Sequence, residues 1–182
     1  DPTGWGYFVE PGIGFNRFRK DGSAKEDDLE NNITGLSGGD IGYAVEIDGN
    51  DIYLTSDNTS CTSLCVYRVS SDGGQTFSVQ DLADFSGGAP NDDLRGIAVS
   101  GTTMWVLTHD SVETELYELD LSSTLPATPV RRGVYPDLEY CSGLEVDGRF
   151  LYTVCDDVDG SSTEGIARIR RSTFAAEALL AL

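Results

Sequence analysis

Three stretches of the chain align without gaps on their alternation of apolar and polar positions: Ala44–Leu54, Gly96–Val106 and Gly143–Thr153. Before a glycine turn, Val45/Ile47, Ile97/Val99 and Leu144/Val146 alternate with small or polar residues, the period-two pattern of a strand buried on one side. After it, Tyr53, Trp105 and Tyr152 occupy the same position in each copy. The turn glycines Gly49, Gly101 and Gly148 lie 52 and then 47 residues apart. That period suits a four-stranded propeller blade and is too long for a leucine-rich or ankyrin unit.

Each hairpin leads into a third alternating run: Cys65–Val69, Glu115–Leu119 and Ile166–Arg170. A weaker fourth strand is expected near Thr76–Leu82, Val130–Tyr135 and Phe174–Leu180. The last contains good helix formers in Ala-Ala-Glu-Ala-Leu-Leu, but its place in the repeat assigns it to a strand. The first 40 residues read as a blade without its first strand, with Trp5–Glu10 second, Gly14–Lys20 third and Asn32–Leu36 fourth. A polar loop, Asp21–Asn31, joins the last two. The expectation is therefore an all-β, β-propeller-like domain over residues 1–182. It has about four blades of four antiparallel strands (roughly 1–40, 41–93, 94–141 and 142–182) with the first incomplete, or it is part of a larger propeller. An incomplete count leaves strand edges that seek partners.

Composition narrows the partners. Thirty-one acidic residues against 12 basic ones give a formal charge of -19, which repels nucleic acid and anionic membranes and favours cationic ligands such as calcium. No apolar run approaches the roughly 18–20 residues of a membrane span, so no membrane insertion is expected. The chain opens at Asp1 with neither Met nor a leader, as expected of a mature product or a fragment. The four cysteines fall into two close pairs, Cys61 with Cys65 and Cys141 with Cys155. Folding the second segment about Gly148 sets Cys141 opposite Cys155, where a cross-strand disulfide forms without distortion. Cys61 and Cys65 would clip another hairpin loop. Two local disulfides argue for an oxidising, extracellular compartment, and a single histidine argues against zinc. Asn32-Ile33-Thr34 and Asn58-Thr59-Ser60 fit the N-glycosylation pattern at Asn32 and Asn58.

Ser70-Ser71-Asp72-Gly73-Gly74-Gln75-Thr76-Phe77 matches the Asp-box pattern at each defined position (Ser70, Asp72, Gly74, Thr76 and Phe77). In this turn the chain resembles the Asp-box, or BNR-repeat, β-propellers of sialidase-like and related secreted proteins. The resemblance implies a structural turn between the third and fourth strands of a blade. The Ser and Asp side chains would hold backbone amides, the glycine a positive φ, and the aromatic would pack into the blade. Sialidase chemistry does not carry over, because Arg131-Arg132 and Arg170-Arg171 are adjacent pairs whose members point to opposite faces of a strand. Asp137–Val146 is also loosely similar to strand entries of secreted phytase-like and esterase-like propellers.

Among groups that carry chemistry, Asp156, Asp157 and Asp159, followed by Gly160 and hydroxyls, form the best calcium candidate, although Glu164 comes too early for an EF-hand. Asp57, Asp110 and Asp156 recur after the second strand of their units and would share one end of the blades. His109, beside Asp110, reads as a loop histidine, since no nucleophile elbow accompanies it. The function expected is a non-enzymatic extracellular recognition or structural subunit of a surface assembly, binding a protein partner or itself through exposed blade edges. The alternatives are a secreted calcium-dependent hydrolase of phosphoesterase or glycosidase type, and a carbohydrate-binding module that stacks a glycan on aromatics.

Overall fold

The computed structural model describes residues 4–36, 41–56, 65–85, 93–109, 113–158 and 163–181. It is all-β apart from one 3-10 turn and consists of four antiparallel sheets, the blades of a propeller, taken in chain order. The first contains β1 (Trp5–Glu10), β2 (Gly14–Arg19) and β3 (Lys25–Glu26). The second contains β4 (Val45–Asp48), β5 (Asp51–Thr55), β6 (Val66–Ser70) and β7 (Gln80–Asp81). The third contains β8 (Asp93–Ser100), β9 (Thr103–His109), β10 (Thr114–Asp120) and β11 (Val130–Tyr135). The fourth contains β12 (Ser142–Asp147), β13 (Phe150–Cys155), β14 (Gly165–Arg170) and β15 (Ala176–Ala181). Each strand pairs with its neighbour in sequence, so every blade is a meander. The first strands β4, β8 and β12 pack side by side and define the inner rim.

The repeated glycines make the turns. Gly49, Gly101 and Gly148 have φ of 59°, 64° and 55°, each at the first position of a two-residue turn, where a type II′ hairpin takes glycine. The turn after the third strand then locks onto it: Gly73 N donates to Asn50 O (2.8 Å), Leu121 N to Thr102 O (2.8 Å), and Arg171 N to Arg149 O (2.9 Å). Only the first of these turns carries the Asp-box pattern, so three different sequences reach one backbone arrangement.

The core lies between blades. Each blade has a leading face toward the next blade and a trailing face toward the previous one. Phe15 of the first blade packs with Ile52, Leu54, Tyr67 and Val69 of the second. Tyr53 and Val66 pack with Ile97, Val99 and Met104 of the third, and Trp105, Leu107 and Leu116 with Leu144, Leu151 and Ile169 of the fourth. The backbones of blades three and four come close at Gly96, where a Cβ would lie 2.9 Å from the Gly143 carbonyl carbon.

Two expectations are corrected. The fourth strand of the first blade is not Asn32–Leu36: the short Lys25–Glu26 strand takes that place, and Leu29–Asn32 forms a 3-10 turn that buries Leu29 and Ile33. A two-residue strand leaves no alternation to read. The Thr76–Leu82 strand likewise contracts to Gln80–Asp81. By contrast, the alanine-rich Ala176–Ala181 pairs with β14 as a strand, because an open backbone ladder outweighs its helix propensity.

Candidate functional site: a repeated ladder and an unpaired inner edge

The register across the sheets shows a motif that runs at right angles to the sequence. Tyr7 faces Arg17, which faces Glu26; Tyr53 faces Arg68, which faces Gln80; Tyr152 faces Arg168, which faces Glu177. In the third blade Trp105 faces Glu118 and the polarity is inverted, with Arg132 supplying the cation. The contacts close each ladder: Arg17–Glu26 (2.7 Å), Arg68 to Gln80, Glu118–Arg132 (2.7 Å) and Arg168–Glu177 (2.7 Å). Each ladder therefore takes its aromatic from a second strand, its central charge from a third and its partner from a fourth. By this equivalence β1 corresponds to β5, β9 and β13. Among the described residues the first blade shows no strand in the place of β4, β8 and β12, and β1 pairs only with β2.

Where a further blade covers it, the ladder seats that blade's turn after the third strand. Tyr7 Oη donates to Gly73 O (3.3 Å) and Arg17 Nη1 to Gly74 O (2.7 Å). Leu121 packs into the cluster that contains Tyr53, and the Arg171 guanidinium lies 4.4 Å over the Trp105 ring. The Asp-box residues organise one such turn. Ser70 Oγ accepts from Gly74 N (2.9 Å), and Asp72 Oδ1 accepts from Gln75 N and Thr76 N (both 2.9 Å). The Thr76 hydroxyl and amide hold the Asp72 carboxyl down at about 2. Phe77 meets Phe15 edge-on across the blade interface.

The remaining candidates fall as follows. Cys141 and Cys155 are joined, with Cα atoms 3.9 Å apart. The route differs from simple folding about Gly148. The hairpin pairs Asp147 with Phe150, and a one-residue bulge between Ser142 and Glu145 then shifts the register so that Ser142 faces Val154. Gly143 adopts φ 66° in this bulge, and the Thr153 hydroxyl donates to its carbonyl at 2.8 Å. Cys65 is disulfide-bonded and buried, while Cys61 lies outside the described residues. Asn32 and Thr34 are exposed, and Asn58 lies outside the described residues. Asp156 is exposed and Asp157 buried, their amides both donating to Glu139 O. Asp159, Asp57 and Asp110 lie outside the described residues, among which no group of three or more His, Cys, Asp or Glu is placed to hold a metal. Calcium thus rests on the sequence alone. His109 is not a loop residue: it ends β9, is buried, and its ring lies 4.4 Å from that of Tyr140. The arginine pairs do divide between faces, Arg131 binding Glu115 and Arg132 binding Glu118, with Arg170 over Phe150 and Arg171 over Trp105.

One inner-rim group has its acidity shifted by position. Burial, with the charges of Glu145 and Asp48 nearby, pushes Glu46 up to about 7 from an ordinary 4.5. Folding favours its protonated form, so the stability it contributes is complete below about pH 4.5 and is lost as pH rises through 7. Glu46→Gln is expected to stabilise the fold by about 1 kcal/mol near pH 8, the full shift being discounted for partial exposure, and by little near pH 4.5. Urea denaturation at the two pH values checks this; an equal effect at both would remove ionisation as the cause.

No protein-family model matches the chain, and no curated protein matches it in sequence. Its fold is similar to that of solved β-propellers. In the crystal structure of a nidogen/laminin complex, one chain matches with 14% identity and a TM-score of 0.63, over 100% of this chain and 60% of that one. TolB from Acinetobacter baumannii matches with 14% identity and a TM-score of 0.58, over 96% and 41%. YCF48 bound to D1 peptide matches with 14% identity and a TM-score of 0.51, over 78% and 40%. The chain therefore spans less than two thirds of the length of these propellers.

Proposed function

We propose that this chain is an extracellular, non-enzymatic recognition module that takes up an extended segment of a protein partner as the inner strand of its first blade. The observation that carries the reading is the ladder equivalence. β1 stands where β5, β9 and β13 stand, yet among the described residues it pairs only with β2. An unpaired edge presents a row of backbone donors and acceptors to an incoming strand, which gains affinity from main-chain hydrogen bonds and specificity from alternate side chains.

The chain's own inner strands describe the guest. Each alternates apolar residues with small or acidic ones, as Val45-Glu46-Ile47-Asp48 and Leu144-Glu145-Val146-Asp147 do. An incoming segment needs β-branched or Leu residues at alternate positions, and the net charge of -19 favours Lys or Arg in its flanks. Two of the similar propellers were solved with protein or peptide partners, laminin in one case and the D1 peptide in the other. The paired cysteines support an oxidising compartment.

Selection from a library of extended peptides, followed by hydrogen exchange on the complex, tests the reading. Binders should share an alternating apolar pattern with basic flanks and should slow exchange of β1 amides. Binders that protect only loop amides, or a library that yields none, would sink it.

A further inference from the structure

Blade four departs from blades two and three at one place on its trailing face. In blade two Tyr67 stands opposite Asp81, and in blade three Tyr117 stands opposite Arg131. These tyrosines are 0% and 7% exposed, and each packs in the cluster shared with the preceding blade. Around Tyr117 the chain supplies its own cation. The Arg131 guanidinium reaches Glu115 Oε1 at 2.7 Å, and Tyr117 Oη donates to Glu115 Oε2 at 2.6 Å. Blade four repeats the backbone of this place without its side chains. Its outer pair of strands has a register shift after Ile166, as the outer pair of blade three has after Leu116. Ala167 opposite Ala178 then takes the place of Tyr117 opposite Arg131, and Gly165 that of Glu115.

Two alanines and a glycine leave open what a tyrosine, an arginine and a glutamate fill. A cleft of about 250 Å³ lies there, between the outer strands of blades three and four. Tyr135, Leu138 and Val158, all buried, form its floor, Ala176 and Ala178 one wall, and the exposed Asp137 its rim. The Tyr135 hydroxyl donates to Phe174 O at 3.0 Å, which leaves the ring as an apolar surface. Glu177, also in the lining, is held by Arg168 at 2.7 Å. Asp137 makes no ion pair among the described residues. Both blades that form the cleft are complete, and a further blade before the first or after the fourth would pack on other faces.

We propose that this cleft receives one Lys or Arg side chain presented by a protein partner. Its volume falls below the roughly 300–1,000 Å³ of pockets that hold drug-sized ligands, and suits a single side chain. An apolar floor with a carboxylate at the rim matches an aliphatic stem that ends in a cation. The equivalent place in blade three is occupied in this way by the chain's own Arg131, with Glu115 as its carboxylate. The net charge of -19 favours a cation over any other head group.

Titration of the intact chain with Nα-acetyl-lysine N-methylamide and with its arginine counterpart, followed by NMR shifts, tests the proposal. The yield per atom of small ligands sets the expected dissociation constant near about 1 mM. The largest shifts should fall on Leu138, Val158 and Ala176, and added salt should weaken binding. Asp137→Lys, a change at an exposed position, should weaken it roughly tenfold by turning an attraction into a repulsion. Ala178→Arg should abolish it, because it restores the pattern of blade three and fills the cleft from within; Ala178→Leu does the same without the charge. The proposal is overturned by an uncharged norleucine analogue that binds as well as lysine, or by shifts centred outside the cleft. It is equally overturned by binding that survives Asp137→Lys and both Ala178 variants, or by no binding up to about 20 mM. A single capped residue is too short to add as a strand, so this experiment reads the cleft alone. Its failure would leave strand addition on β1 to the peptide and exchange experiment.

Discussion

Replacing Trp105 by alanine is expected to lower folding stability by about 3–5 kcal/mol, the range for deleting a fully buried large aromatic. The size follows from how many elements meet on this side chain. It is 2% exposed and packs in the cluster shared by blades three and four. Its Nε1 donates to Glu118 Oε2 at 3.1 Å, while Glu118 Oε1 accepts from Arg132 at 2.7 Å. From the other blade, the Arg171 guanidinium covers the ring. Truncation therefore opens a cavity, strips Glu118 of one donor and removes the platform beneath Arg171.

The sharper form of this prediction is a comparison. Tyr152 holds the same repeat position in the fourth blade, with Arg168 opposite it as Glu118 is opposite Trp105. It is only partly buried in this chain, so Tyr152→Ala should cost no more than about 1 kcal/mol. Urea denaturation of both variants measures the difference. Equal losses would mean that the interface between blades three and four does not bury Trp105 more than Tyr152 is buried, contrary to the structure.

These two residues also show what could be read from the chain and what could not. Tyr53, Trp105 and Tyr152 align in the sequence because a strand–turn–strand hairpin preserves spacing, so the blades and their second-strand aromatics are legible from one dimension. The opposite partners are not, because Arg17, Arg68, Glu118 and Arg168 reach their aromatics only through the register of the third strand. The connecting loops differ in length, and no fixed spacing survives. That β1 pairs only with β2 among the described residues agrees with the count of alternating runs, which is one short in the first 40 residues. The short strand Lys25–Glu26 was hidden because two charged residues carry no period. His109 was misread for a related reason: a polar side chain at a strand end gives no apolar signal, yet β9 continues through it and Tyr140 covers it. The raised acidity of Glu46 has no signal in the sequence, because it comes from burial first and then from Glu145, two blades away along the inner rim.

The Cys141–Cys155 bridge carries the second large expected effect. Removing it as the pair Cys141→Ala and Cys155→Ala should cost about 3 kcal/mol, since the bond closes a loop of 15 residues in the unfolded chain. Both residues are buried, so alanine leaves no buried polar group, and the native contacts of the hairpin persist around it. The position of the bridge makes the prediction specific. It ties the two strands just beyond the bulge at Gly143, where the register has slipped by one residue and two residues of β12 are left without a cross-strand partner. That bulge sits against Gly96 of the third blade, so closely that a Cβ there would lie 2.9 Å from the Gly143 carbonyl carbon. Without the bridge, amides of Ser142–Glu145 should exchange faster than those of Asp147 and Phe150, which the tight turn still holds together. Hydrogen exchange of the double variant distinguishes this from uniform loosening. A reduced or double-alanine protein with an unchanged urea midpoint would show that the bulge and the blade contact, and not the covalent bond, fix the register there.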